Sequence, residues 1–157
     1  MSTWISQFAL FFALIAGAVV PMQAGANAAL GRNLGHPLWA TLVSLTVSVV
    51  LGIAVLSWLR LPMPSAVSAI RGPFWTWFGG IAGIIYVSSA VVLAPKLGLT
   101  TFMAAVVTGQ VLISLLLDHY GLLGLAVRPI TLLRVLAAAL IVSGVVLLHF
   151  SSAPATR

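Results

Sequence analysis

Gln23 and Asn27 stand four residues apart in a run that is otherwise apolar or small, Pro21-Met22-Gln23-Ala24-Gly25-Ala26-Asn27-Ala28-Ala29-Leu30-Gly31. Four residues is about one helical turn, so both amides share one helix face. A side-chain amide offers two N–H donors and a carbonyl acceptor without a charge. Its chemistry is recognition by hydrogen bonding. An amide facing lipid is costly, because nothing there can bond it. The pair must therefore look into protein or into a wet cavity. Two readings stay open at this point: the amides lock helices together, or they line a transport pathway.

Further polar residues interrupt apolar segments downstream. Gly79, Gly83, Tyr86 and Ala90 fall on one helical face, which puts a tyrosine among small residues, with Ser89 three positions on. Gln110, Ser114 and Asp118 are spaced by four and form a polar line. Asp118 is the only acid in the chain, and His119 follows it. A proton-coupled carrier needs a group that gains and loses a proton in each cycle, so Asp118 and His119 are the candidates for that role. The plainer reading is an end-of-helix carboxylate that pairs with an arginine, with Arg128 close by, and fixes a turn.

The elements that position these residues are read from composition. Of 157 residues 62% are apolar and 5% charged, against about 25% charged in soluble domains. The chain cannot cover itself with polar surface, so it is an all-α membrane protein. The expected helices run from about 4–30, 38–59, 74–94, 100–117 and 130–150, as one domain spanning 1–157. The first is too long for the ~30 Å hydrocarbon core and must tilt, kink near Pro21 or project. Thr41, Ser44, Ser48 and Gly52 make a stripe of small residues in the second, which reads as a packing seam. Arg60 and Pro62-Met63-Pro64-Ser65 end that segment, a loop follows to Gly72, and Pro95-Lys96-Leu97-Gly98 breaks the chain after the third. Ala137, Ala138, Ile141 and Gly144 give the fifth a smooth face, and a polar tail runs from Ser151 to Arg157. The opening apolar run followed by Gln23-Ala24-Gly25-Ala26 mimics a signal-peptide cleavage site. Met1-Ser2-Thr3-Trp4 lacks the basic start of such a peptide, so a retained helix is expected.

Several function classes drop out. The loops are too short to hold an enzyme site outside the membrane. No phosphate-cradling glycine loop, metal-ligand cluster or nucleophile–base pair is present in the sequence. His36, His119 and His149 lie in different connections or ends. The chain is expected not to be an enzyme and to carry no cofactor or metal. It has no cysteine, so disulfides are excluded. The seven Lys and Arg are scattered singly between apolar runs, a membrane-flank pattern and not a nucleic-acid surface.

Charge also bears on orientation. Five helices place Arg60, Arg71, Arg128 and Arg134, four basic residues, on one side of the membrane. The other side holds three: Arg32, Lys96 and Arg157. The positive-inside rule works through an excess, and this excess is small. Two readings stay open: one orientation still wins through details of insertion, or both orientations are made. A copy inserted upside down could pair with its inverse and build the pseudo-two-fold symmetry of many transporters.

The motif Pro21 to Leu30, with Gly35-His36-Pro37-Leu38-Trp39-Ala40 behind it, resembles the YdcZ-like family of small inner-membrane proteins in the drug/metabolite transporter superfamily. So do Gly79-Gly80-Ile81-Ala82-Gly83 before Tyr86-Val87, Ala94-Pro95-Lys96-Leu97-Gly98, and Gly109-Gln110 leading to Leu117-Asp118-His119-Tyr120-Gly121. The match covers roughly Pro21 to Leu148. The resemblance implies a five-helix half-transporter in the bacterial inner (cytoplasmic) membrane, an exporter. Its partner would be an inverted copy of itself, ten helices in all, or an oppositely oriented paired homologue. Small multidrug-resistance relatives use a glutamate in their first helix, where this chain has Gln23 and Asn27. That departure speaks against simple carboxylate-based cation exchange. The expected function is a secondary transporter working by alternating access, with membrane lipid and a small-molecule substrate as its other partners. Gln23, Asn27, Tyr86, Ser89 and Gln110 are the expected substrate contacts. The rival is a non-transporting membrane subunit or assembly partner whose polar residues only pack helices. A channel is the third class.

Overall fold

A backbone in hydrocarbon must satisfy its own N–H and C=O groups, and one continuous helix per crossing does so. The computed structural model, which describes residues 3–151, follows that rule. Its helices are α1 (Thr3–Asn33), α2 (Pro37–Trp58), α3 (Ala66–Arg71), α4 (Phe78–Leu97), α5 (Leu99–Tyr120) and α6 (Leu132–Ser151). Two 3₁₀ turns, Phe74–Trp77 and Leu122–Gly124, complete the set. Five of these stretches are long and apolar enough to cross a membrane, the third being Phe74–Leu97. The polar tail from Ser152 onward lies outside the described residues.

The boundaries differ from expectation in instructive places. Helix α1 passes through Pro21 without interruption and runs on to Asn33. The ring of a proline costs a helix one N–H bond and crowds a carbonyl one turn back, and thirty other residues outweigh that here. Pro95 likewise lies inside α4. The break comes three residues later, at Gly98, whose φ of 81° belongs to the left-handed region. Helix α5 starts at the next residue. The loop after α2 contains one unforeseen element, the short helix α3.

Serine and threonine hydroxyls inside the spans turn back on their own helices. Thr46 donates to Leu42 O at 2.8 Å, Ser48 to Ser44 O at 3.0 Å, Thr108 to Ala104 O at 2.9 Å and Ser143 to Ala139 O at 2.8 Å. Each hydroxyl is thereby satisfied without a neighbouring helix. This shortens the expected seam on α2. Thr41 is buried and Ser44 half-buried, while Ser48 is exposed and Gly52 has nothing near it.

The chain gathers into two compact units, Met1–Lys96 and Leu97–Arg157. In the first, burial concentrates at one end. Ala24, Asn27, Ala28 and Gly31 of α1, Ala40 and Thr41 of α2, and Val87, Ala90, Val91 and Ala94 of α4 are its buried residues. Most are small, which lets helix backbones approach closely. At Gly31 a side chain would meet Val91 Cγ1 at 3.1 Å, Pro37 Cα at 3.5 Å and Ala40 Cβ at 3.6 Å. The opposite end is bare. Trp4, Phe8, Trp58 and Phe78 are exposed there, and Gly79, Gly80 and Gly83 have no neighbours at Cβ distance. The second unit is the α5–α6 hairpin, joined through Gly121 at φ 61° and a turn stabilised by Arg128 N–H donating to Asp118 O at 2.7 Å.

Candidate functional site

Three of the expected site residues converge where the first unit changes from packed to bare. Val20, Gln23, Ala24 and Asn27 of α1 face Tyr86, Val87 and Ala90 of α4 around one small pocket. Ala24 and Ala90 are each 2% exposed, and their small side chains draw the two helices together there. Asn27 lies on the packed side and is 7% exposed. Gln23, one turn toward the bare end, is exposed. The Tyr86 hydroxyl is buried and has no hydrogen-bond partner. Among the described residues no side-chain hydrogen bond is formed by Asn27 either. The space between the helices is closed, with about 0 Å³ open to a water-sized solute.

This is an unusual combination. A buried polar group without a partner costs about 1–3 kcal/mol, and neutral hydroxyls and amides are normally satisfied in cores. Here a phenol hydroxyl stands buried without a partner in a closed pocket that the Asn27 amide also lines. Chemically the pocket offers donors, acceptors and an aromatic face, and no charge.

The remaining expected contacts sit elsewhere. Ser89 is half-buried on α4 and does not line this pocket. Its neighbour Ser88 donates to Thr41 Oγ1 at 3.3 Å, tying α4 to α2. Sequence reasoning singled out Thr41 as part of a seam but not Ser88, because two adjacent serines look alike until the helix phase is known. Gln110 belongs to the second unit. It lines a groove of about 430 Å³ with Ser114, Asp118 and Arg134. The polar line of Gln110, Ser114 and Asp118 thus keeps its single face, though Ser114 donates to Gln110 O at 2.7 Å and not to a solute.

Asp118 and His119 act in this conformation as a turn clamp. Asp118 Oδ2 is 3.6 Å from Arg134 Nη1, with both side chains about one-third exposed. The partner is Arg134 of α6, and Arg128 enters through its backbone, whose carbonyl accepts from Arg134 Nη1 at 3.3 Å. His119 Nδ1 accepts from Ile130 N–H at 3.2 Å. Among the described residues no group of three His, Cys, Asp or Glu side chains converges as a metal site.

Five helices long and apolar enough to cross a membrane, with a polar, uncharged pocket between two of them, define a multi-pass membrane protein. The particular kind follows from comparison with known families. The family model described as "Putative inner membrane exporter, YdcZ" matches residues 8–147, and the chain belongs to that family. It is an integral protein of the inner membrane. Searches of curated proteins and of solved structures return no match.

Proposed function

We propose that the protein exports a small neutral or amphiphilic molecule by alternating access. It acts as one five-helix domain, 1–157, paired with an inverted copy of itself. The observation that carries this reading is the buried Tyr86 hydroxyl, which has no hydrogen-bond partner and faces a closed pocket also lined by Asn27 and Gln23. Polar groups that serve only as helix glue bond to each other or to backbone, as Ser88 and Thr41 do. Groups that serve a solute stand unsatisfied when the pocket is closed. Gln23, exposed at the rim, takes the solute first, and Asn27 and Tyr86 take it as α1 and α4 part. Tyr86 also gives an aromatic face on which an organic cation can rest. Ser89 and Gln110 complete the solute's surroundings once two copies assemble. The near balance of four basic residues against three supports the inverted pairing.

The test is flux through purified protein reconstituted in liposomes, using a panel of neutral and cationic amphiphiles. Saturable movement that falls in Asn27→Ala, with dimer stability nearly unchanged, is the expected result. No movement of any panel member, or equal loss of dimer and of flux, would overturn the proposal.

A further inference from the structure

Two motifs left unused by the polar pocket meet at the packed end of the first unit. One is Gly35-His36-Pro37 in the turn between α1 and α2, the other Pro95-Lys96 at the end of α4. Gly35 and Pro37 of the first, Pro95 and Lys96 of the second, and Ala28, Gly31, Arg32, Val91 and Val92 enclose a pocket of about 390 Å³. Arg32 and Lys96 both line it, from helices whose chain positions are more than sixty residues apart. Each sits in the last turn of its own helix, where the macrodipole favours a cation.

The charges there do not cancel. Asp118, the only acid in the sequence, pairs with Arg134. Neither Arg32 nor Lys96 forms an ion pair among the described residues. The two helix ends subtract about half a charge each, and the start of α2 at Pro37 adds about half back. The pocket keeps a net positive charge. His36 in the same turn caps α2, its Nδ1 accepting from Leu38 N–H at 3.2 Å. Below the two cations the walls are apolar: Ala28, Val91 and Val92.

We infer that this pocket binds an anionic phosphate group, held between the Arg32 guanidinium and the Lys96 ammonium at the mouth of an apolar recess. Arginine presents a planar fork of donors to phosphate oxygens, and lysine adds a point charge. Basic pockets between membrane helices suit phospholipid head groups for the same reasons. The apolar floor fits the glycerol and upper chain of an anionic phospholipid, and the polar mouth alone fits free phosphate. The site is separate from the Gln23–Asn27–Tyr86 pocket, and the inference does not depend on transport.

The experiment uses purified full-length protein in neutral detergent, where membrane orientation does not enter. Phosphatidylglycerol, phosphatidylcholine and inorganic phosphate are titrated separately, and retained lipid and thermal midpoint are read. Phosphatidylglycerol retained above phosphatidylcholine, with a raised midpoint, is the expected result. Removing one charge, in Arg32→Gln or Lys96→Gln, weakens retention about fivefold, and the double variant about thirtyfold. The swapped pair Arg32→Lys with Lys96→Arg restores it, and Arg60→Gln, outside the pocket, leaves it unchanged. A midpoint raised by inorganic phosphate to the same extent, and lost in the double variant, assigns the site to a soluble anion. Equal retention of both lipids with no phosphate effect, or equal losses from Arg60→Gln and Arg32→Gln, would overturn the inference.

Discussion

Replacing Tyr86 by phenylalanine removes one oxygen and nothing else. In most buried sites that change costs stability, because a hydrogen bond is lost. At Tyr86 there is no bond to lose. The hydroxyl contributes only its desolvation cost, about 1–3 kcal/mol for an unsatisfied buried group. Part of that gain is offset by the contacts the oxygen makes with its packed neighbours. Tyr86→Phe is therefore expected to leave the solute-free protein as stable as the parent or to stabilise it by about 1 kcal/mol. With solute present the sign reverses. A net hydrogen bond of about 0.5–1.5 kcal/mol disappears, so apparent affinity falls roughly two- to twelvefold. Unfolding in detergent measures the first quantity, and concentration-dependent efflux from liposomes the second. A variant that unfolds more easily without solute would show that the hydroxyl has a partner at rest. A variant with unchanged stability and unchanged efflux affinity would remove Tyr86 from the pathway.

Other expectations follow from single features. Reporter fusions at Arg157 should place the C-terminus on both sides of the membrane, and a single orientation that persists when one arginine is moved would require a separately encoded inverted partner. Gly121→Ala should destabilise the α5–α6 hairpin by more than the ~1–2 kcal/mol of a left-handed residue, because its Cβ would lie 2.7 Å from Val127 Cγ2. Gly124→Ala, at φ 77° but with open space around it, should lose only the backbone part, as unfolding midpoints will report. Asp118→Asn should cost no more than about 1 kcal/mol, given an ion pair about one-third exposed. Uphill transport retained in both Asp118→Asn and His119→Gln would remove the pair from energy coupling.

The five crossings were legible because lipid leaves the backbone one economical solution, and apolar length alone then reports it. The ends were less so. Pro95 looked like a stop, yet a proline disrupts the turn before it and α4 absorbed that locally; the break belongs to Gly98 and its positive φ. Gln23 and Asn27 were correctly placed on one face, but their unequal burial was not readable. It depends on where α4 closes over α1, a long-range fact. The choice of Arg134 over Arg128 as the partner of Asp118 likewise depends on how the chain returns from Gly121 to α6. Ser44 and Ser48 on α2 suggested helix glue, and Ser48 instead donates to Ser44 O within its own helix.

Helix α1 carries two kinds of constraint in one rod. Its buried residues, Ala24, Asn27, Ala28 and Gly31, all fall in its second half, where shape is dictated to within a methyl group. From Trp4 to Ile15 its large side chains are exposed. Lipid asks of that half only that it be oily, so leucine, isoleucine and phenylalanine are interchangeable there. Natural variation should therefore drift freely along the first three turns and halt abruptly near Pro21. Any early position that resists such drift marks where a second chain lies against the helix.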